Sequence, residues 1–282
     1  MPRAPLVSAV AVTQEGEELT TWGGASTSRA WLVGETVVRE AGPWSRSVHS
    51  LLRHFEAVGF DGAPKVVGTG FDDAGREVLT FLPGSSPHPA PWTDDAVFAI
   101  GQLLRRAHDA ADGFVPPDGA EWQPWFGRSL VGDHPVFGHC DAGSWNVVAK
   151  DGRPYALIDW EYAGPVDAGW ELAHVAWQNA QLFDDDIAER VGLASPAARA
   201  RQVRLIADGY GIAAGQRAPL IARMLALAVH EARAEAVGGR VTPESTKAVR
   251  PDGYPLLWAV TWRARSASWM LTHRHVLEAA LI

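Results

Sequence analysis

Apolar and polar positions change rhythm partway along the chain. Over roughly the first 80 residues they come in short runs separated by turn residues, the signature of strands. Glu18 to Trp22 reads as a strand, followed by the small-residue turn Gly23-Gly24-Ala25-Ser26-Thr27-Ser28. Ala30 to Val33 and Thr36 to Arg39 bracket Gly34-Glu35, a hairpin signal. Pro43 precedes Ser45, a candidate N-cap, and Val48, Leu51, Leu52, Phe55 and Val58 then recur at helical spacing. Val66-Val67 and Glu77 to Leu82 complete a small mixed sheet. Pro83-Gly84 ends it, and the Pro- and Ser-rich stretch Ser85 to Trp92 reads as a linker.

Beyond the linker the dominant period is helical. Asp94 to Asp109 places Val97, Ile100, Leu103, Leu104 and His108 on one face. Short apolar runs follow at Val136-Phe137, Val147-Val148 and Ala156 to Ile158. Helical patterns then cover Glu171 to Leu182, Ala197 to Tyr210, Pro219 to Ala236 and Tyr254 to Leu281, with loops over Val191 to Ala197 and Gly238 to Gly253. No internal repeat is present. The expected organisation is α+β: a small β-rich lobe over residues 1–82, a hinge over 83–92, and a larger helical lobe over 93–282.

Composition narrows the class. The 282 residues are 47% apolar and 21% charged, as in a folded soluble protein. The formal charge of −8 argues against nucleic acid and anionic membrane and is compatible with a cationic substrate. A single cysteine, Cys140, excludes an intrachain disulfide and makes the cytoplasm the expected location. MPRAPLVSAV makes a poor signal peptide, and no stretch approaches the ~20 apolar residues of a membrane helix. The thirteen Trp read first as packing residues.

The chemistry concentrates in Phe137-Gly138-His139-Cys140-Asp141-Ala142-Gly143-Ser144-Trp145-Asn146-Val147-Val148, followed by Ala156-Leu157-Ile158-Asp159-Trp160-Glu161. Two apolar strands flank a polar loop, and another acidic residue ends the next strand. Phosphoryl transfer needs a carboxylate to accept the proton of the attacking hydroxyl and hard oxygen ligands for magnesium. Asp141, Asn146 and Asp159 supply such groups within a short span.

His-x-Asp-x-x-x-x-Asn followed by Ile-Asp-Trp-Glu resembles the catalytic loop and metal-binding segment of aminoglycoside phosphotransferases, which share the bilobal protein-kinase-like fold. Ala163-Gly164-Pro165 and Trp170-Glu171-Leu172-Ala173 also resemble that family, although an Asp is usual where Glu171 stands. The resemblance implies an ATP- and Mg2+-dependent transfer of a phosphoryl group to a hydroxyl of a small molecule. It implies that Asp141 is the base, that Asn146 and Asp159 bind magnesium, and that His139 supports the loop by hydrogen bonding. It places Ser26, Thr27 and Ser28 at the nucleotide phosphates, and adenine against the carbonyl of Thr80 and the amide of Leu82.

Two departures stand out. Cys140 replaces the family's usual Gly. Arg39 occupies the place of the strand lysine that contacts phosphates, and no glutamate is evident at the helix position that pairs with it, near Val48 or His49. Arginine holds phosphate bidentately, so the charge survives with different geometry. A non-catalytic nucleotide-binding protein is the competing reading, supported by Arg39 alone. Other motifs lead nowhere. His134, His139, Cys140 and Asp141 lack a second Cys or His pair at zinc spacing. Gly143-Ser144-Trp145 lacks the second glycine of a nucleophile elbow, Gly68-Thr69-Gly70 is incomplete, and no Walker A motif exists. His108 reads as a buried, satisfied histidine. Asp184-Asp185-Asp186 reads either as a solvated helix start or, by resemblance, as part of a substrate cleft.

Overall fold

Strands β3 (Ala30–Val33) and β4 (Thr36–Arg39) form the expected hairpin, turned at Gly34 with φ +62°. The computed structural model describes residues 12–13, 16–19, 30–130, 132–245, 249 and 254–282. β1 (Val12–Thr13) and β2 (Gly16–Leu19) extend the hairpin on one side; β6 (Glu77–Thr80) and β5 (Val66–Phe71) extend it on the other. The order is β1-β2-β3-β4-β6-β5 and every pairing is antiparallel, where a mixed sheet was expected. The β4–β6 pairing skips over a helix and a strand, a long-range choice that local patterning does not carry. Its register sets Thr36 against Thr80 and Arg39 against Glu77.

Helix α1 (Ser45–Ala57) buries Val48, Leu51, Leu52 and Phe55, as its spacing predicts. Two details differ. Trp44 holds the N-cap position while the Ser45 hydroxyl accepts the Gly42 N–H at 2.9 Å. Val58 lies at the C-cap and is exposed, because the helical face ends one turn earlier.

The linker is anchored. Ser85 exchanges backbone hydrogen bonds with Ala149 at 2.9 and 3.0 Å, and Tyr155 donates to the Pro83 carbonyl at 2.7 Å. α2 (Asp94–Ala110) is capped by Thr93 and buries the predicted face. β7 (Pro135–Gly138) pairs with β10 (Gly164–Asp167), and β8 (Val147–Lys150) with β9 (Arg153–Leu157). α3 (Ala168–Asn179), the short α4 (Asp185–Val191), α5 (Pro196–Tyr210) and α6 (Pro219–Gly238) follow. The last predicted helix divides into α7 (Leu256–Thr272) and α8 (Arg274–Leu281). His273 breaks it: its ring stacks on Trp269, and its Nδ1 lies 3.0 Å from the Trp269 carbonyl.

One apolar core runs through both lobes. Phe55 of α1 meets Trp160 edge-on at 5.1 Å, so the small lobe packs directly on the segment that carries Asp159. No single helix among the described residues is long and apolar enough to cross a membrane.

Candidate active site

The loop between β7 and β8 takes a shape that its own residues do not favour. Cys140 adopts φ +66°, a left-handed conformation suited to glycine. Glu171, on the first turn of α3, holds it there by accepting the Cys140 N–H at 2.7 Å. The other Glu171 oxygen lies 2.7 Å from His108 Nε2, and His108 Nδ1 lies 2.8 Å from the Tyr210 hydroxyl. Burial would raise the Glu171 pKa, but His108 and the Cys140 amide outweigh it and hold it below the ordinary carboxylate value. Gly138 makes room: a Cβ there would stand 1.7 Å from Glu171 Oε2. Asn179 steadies the loop's other side by donating to Ala142 O at 2.8 Å.

His139 joins the two acidic segments. Its Nε2 donates to Ile158 O at 2.8 Å and its Nδ1 accepts the Asp141 N–H at 3.2 Å. Burial lowers its pKa, consistent with the neutral ring that this pair of bonds requires. Asn146 Nδ2 donates to the Asp141 carbonyl at 2.8 Å and to Asp141 Oδ2 at 3.0 Å. Asp159, also left-handed at φ +63°, receives Arg39 Nη1 on Oδ1 at 2.5 Å. Arg39 Nε meanwhile donates to Glu77 Oε2 at 2.6 Å, and His49 Nε2 lies 3.0 Å from Glu77 Oε1. Arg39 is buried yet stays charged: desolvation opposes its charge, and Asp159 and Glu77 more than offset it.

Asp141, Asn146, Asp159 and Glu161 line one cleft. Burial pushes Asp141 up to about 7, with Asp159 and Glu231 adding to the rise and His174 opposing it. Burial and the Asp159 charge raise Glu161 to about 7 as well. Such crowding of carboxylates favours a cation. Among the described residues no group of three or more His, Cys, Asp or Glu is placed to hold a metal. Magnesium asks for less. One or two protein oxygens suffice when phosphates complete the shell. Asn146 commits its amide nitrogen to Asp141 and so leaves Oδ1 for a hard ion, and the Asp159 carboxylate lines the same cleft. The donor set fits.

Ser26, Thr27 and Ser28 lie outside the described residues. At the hinge, Phe81 N–H goes to Glu35 O and Thr80 N–H to Lys65 O. The Leu82 amide has no partner among the described residues, and neither Thr80 nor Leu82 lines the cleft that holds Asp141. Asp184 caps α4 and pairs with Arg265 at 2.7 Å; Asp186 also pairs with Arg265, and Asp185 accepts from Trp269 Nε1 at 2.8 Å. None of the three lines the cleft, so the helix-start reading holds.

Several structural partners were not evident in the sequence. Glu77 comes to Arg39 from a neighbouring strand instead of a helix. Glu171 is visible in the motif, but its hold on Cys140 depends on tertiary packing. Arg128 bridges the loop after Asp159, donating to Gln123 O, Tyr162 O, Ala163 O and Pro165 O at 2.6–3.2 Å.

A model of the phosphotransferase enzyme family matches residues 120–220, which span both the Asp141 loop and Asp159. The fold is shared with an amicoumacin kinase solved with AMP-PNP, Ca2+ and Ami (TM-score 0.60, 11% identity, covering 92% of this chain and 87% of that one). It is shared also with a microcompartment-associated aminopropanol kinase (TM-score 0.60, 12% identity, 96% of each chain). A choline/ethanolamine kinase family protein from Mesorhizobium loti gives a TM-score of 0.58 at 15% identity, covering 93% and 91%. The fold is kinase-like, and the matched segment is that of a phosphotransferase enzyme family. A trifolitoxin immunity protein of Rhizobium leguminosarum bv. trifolii is 53% identical over 265 residues, 94% of this chain and 99% of that protein. The chain belongs to the phosphotransferase enzyme family.

Proposed function

We propose that this protein transfers the γ-phosphoryl group of ATP to a hydroxyl of a small molecule. The observation that carries the reading is the meeting of Asp141, Asn146, Asp159 and Glu161 on one cleft, with the Arg39 guanidinium reaching Asp159 from the opposite lobe. Asp141 orients the acceptor hydroxyl and takes its proton. Asn146 Oδ1 and Asp159 would hold Mg2+, which when bound would neutralise charge on the nucleotide phosphates. Arg39 meets the nucleotide phosphates, and by the family resemblance Ser26, Thr27 and Ser28 contact them as well. The Thr80 carbonyl and Leu82 amide take the adenine edge. His139 positions the loop without touching substrate. Catalysis on this reading is positioning plus electrostatics.

The relative's name supports a toxin as acceptor, with phosphorylation of its hydroxyl as the route to immunity. The test is incubation with ATP and Mg2+ against trifolitoxin and a panel of aminoglycosides, amino alcohols and nucleosides. ADP release and a phosphoryl mass shift on the acceptor are the readouts. Nucleotide binding with no acceptor-dependent ADP release from any of them would favour the non-catalytic reading.

A further inference from the structure

The cleft that begins at Asp141 continues over the helical lobe and encloses about 1020 Å³. Sites for drug-sized molecules occupy roughly 300–1000 Å³, so a bare amino alcohol would leave most of it empty. Its far end is walled by α6 and α7.

The charges at that end are already matched. Arg263 Nε lies 2.7 Å from Glu231 and Arg263 Nη2 lies 3.2 Å from Glu235. His174 Nε2 adds a contact to Glu231 at 2.7 Å. Arg233 lines the same end and makes no ion pair among the described residues. Among the described residues two carboxylates therefore face two guanidiniums at this end, and the surplus of negative charge lies at the other end, with Asp141, Asp159 and Glu161. The aromatic wall leads to the same conclusion. Trp262 packs against Trp177 and Phe183, both at 5.5 Å between centroids, and the Arg263 guanidinium sits 4.4 Å over its ring. That seat for a cation is taken by the protein itself. Trp258, by contrast, keeps 38% of its surface exposed on the cleft wall, an aromatic face left open to a molecule in the cavity, as in ligand pockets generally.

We propose that the acceptor hydroxyl is carried by a bulky molecule with a neutral aromatic or aliphatic body that packs on Trp258 at the α6–α7 end, and not by a polycation. The proposal rests on the phosphotransferase reading only in assigning the hydroxyl to Asp141; the apolar seat is tested without chemistry. 5-Fluoroindole, followed by fluorine NMR on the full chain without nucleotide, probes the seat, and calorimetry with gentamicin probes the cationic alternative. The expected result is saturable 5-fluoroindole binding, flat with salt, weakened about tenfold in Trp258→Ala, on the scale of one lost aromatic contact, and unchanged in Glu235→Gln. Trp258 is half-exposed, and thermal unfolding confirms that the variant is folded. Gentamicin binding that is tighter than 5-fluoroindole, falls with salt and disappears in Glu235→Gln would overturn the proposal. So would 5-fluoroindole binding that is absent or indifferent to Trp258. AMP-PNP titration in parallel separates the outcomes: failure of nucleotide binding counts against the kinase reading and leaves the seat standing.

Discussion

Arg39 and Glu77 stand opposite one another across β4 and β6, joined at 2.6 Å, and the same guanidinium reaches across the lobes to Asp159 at 2.5 Å. A single cation thus ties the sheet to the candidate metal site. Glu77 in turn meets His49 of α1, so the helix is linked to the guanidinium through a strand-borne carboxylate.

Arg39→Ala should weaken nucleotide binding and slow turnover. It should also destabilise the fold by ~3 kcal/mol, because it leaves Glu77 buried without its guanidinium. Arg39→Lys should recover part of both, since one ammonium replaces the charge but does not span Glu77 and Asp159 as the planar fork does. Calorimetry with AMP-PNP and thermal unfolding read the two effects. Unchanged nucleotide affinity in Arg39→Ala would place the phosphate contact elsewhere.

Glu77 makes the fold sensitive to acid. Burial alone would raise its pKa, but the hydrogen bond with His49 and the Arg39 charge win and bring it from the ordinary carboxylate value of 4.5 to about 2. A carboxyl with a depressed folded pKa stabilises fully above its unfolded value and loses that contribution as pH falls through the folded one. The loss should therefore develop between about pH 4.5 and 2 and amount to roughly 3 kcal/mol at 1.36 kcal/mol per unit. Denaturant unfolding across that window should show a shallower slope in Glu77→Gln. An identical slope in the variant would assign the acid sensitivity to other carboxylates.

The Glu171 bond to Cys140 yields a coupled pair. In Gly138→Ala the new methyl would meet Glu171 Oε2 at 1.7 Å, forcing the carboxylate off the Cys140 amide and its loop. Loss of ~2 kcal/mol is expected, the scale of overpacking a tight core, together with lower turnover at little-changed nucleotide affinity. Adding Glu171→Asp withdraws the carboxylate by one methylene and should restore part of the stability. The double-mutant cycle checks this: strict additivity would mean that the two residues do not collide.

Cys140 is fully buried, with its thiol pushed well above its usual pKa by burial and by Glu171. It should resist alkylation in the native state and react only on unfolding. Cys140→Gly removes about 1 kcal/mol of left-handed strain and a comparable amount of packing, so stability should change little and activity should persist. Thiol-reagent kinetics and turnover of the variant decide the matter; an inactive Cys140→Gly would assign the sulfur a role beyond filling space.

Legibility in the sequence followed the range of the interactions. The β3–β4 hairpin, the apolar faces of α1 and α2, and the Asp141–Asn146–Asp159 spacing depend on neighbours in the chain, and all were readable. The partner of Arg39 was not, because Glu77 reaches it through a strand pairing that skips α1 and β5. The break at His273 was hidden for a different reason: a ring stacked on the preceding turn interrupts a pattern that is otherwise helical throughout. In the helical lobe acidity alone left two readings open. Asp184 to Asp186 look available in sequence, yet Arg265 and Trp269, some 80 residues downstream, engage all three carboxylates.

Asp141 and Asp159 should fail in distinguishable ways, and the assignment of the site depends on that difference. Asp141→Asn keeps the side chain's size, and its amide oxygen can still accept from Asn146 Nδ2, now 3.0 Å from Asp141 Oδ2. The loop bonds of Asp141 to His139 and Asn146 also involve its backbone and survive the change. Nucleotide should therefore bind as before while turnover falls by ~10²-fold or more, the scale of a lost general base. Asp159→Asn instead removes the negative charge that pairs with Arg39 and that would hold the metal, leaving Arg39 Nη1 only a neutral amide oxygen. Magnesium-dependent affinity for AMP-PNP should drop together with rate. Calorimetry with and without Mg2+, alongside product formation for each variant, separates the roles. Wild-type turnover in Asp141→Asn would remove this carboxylate from the chemistry and with it the proposed base.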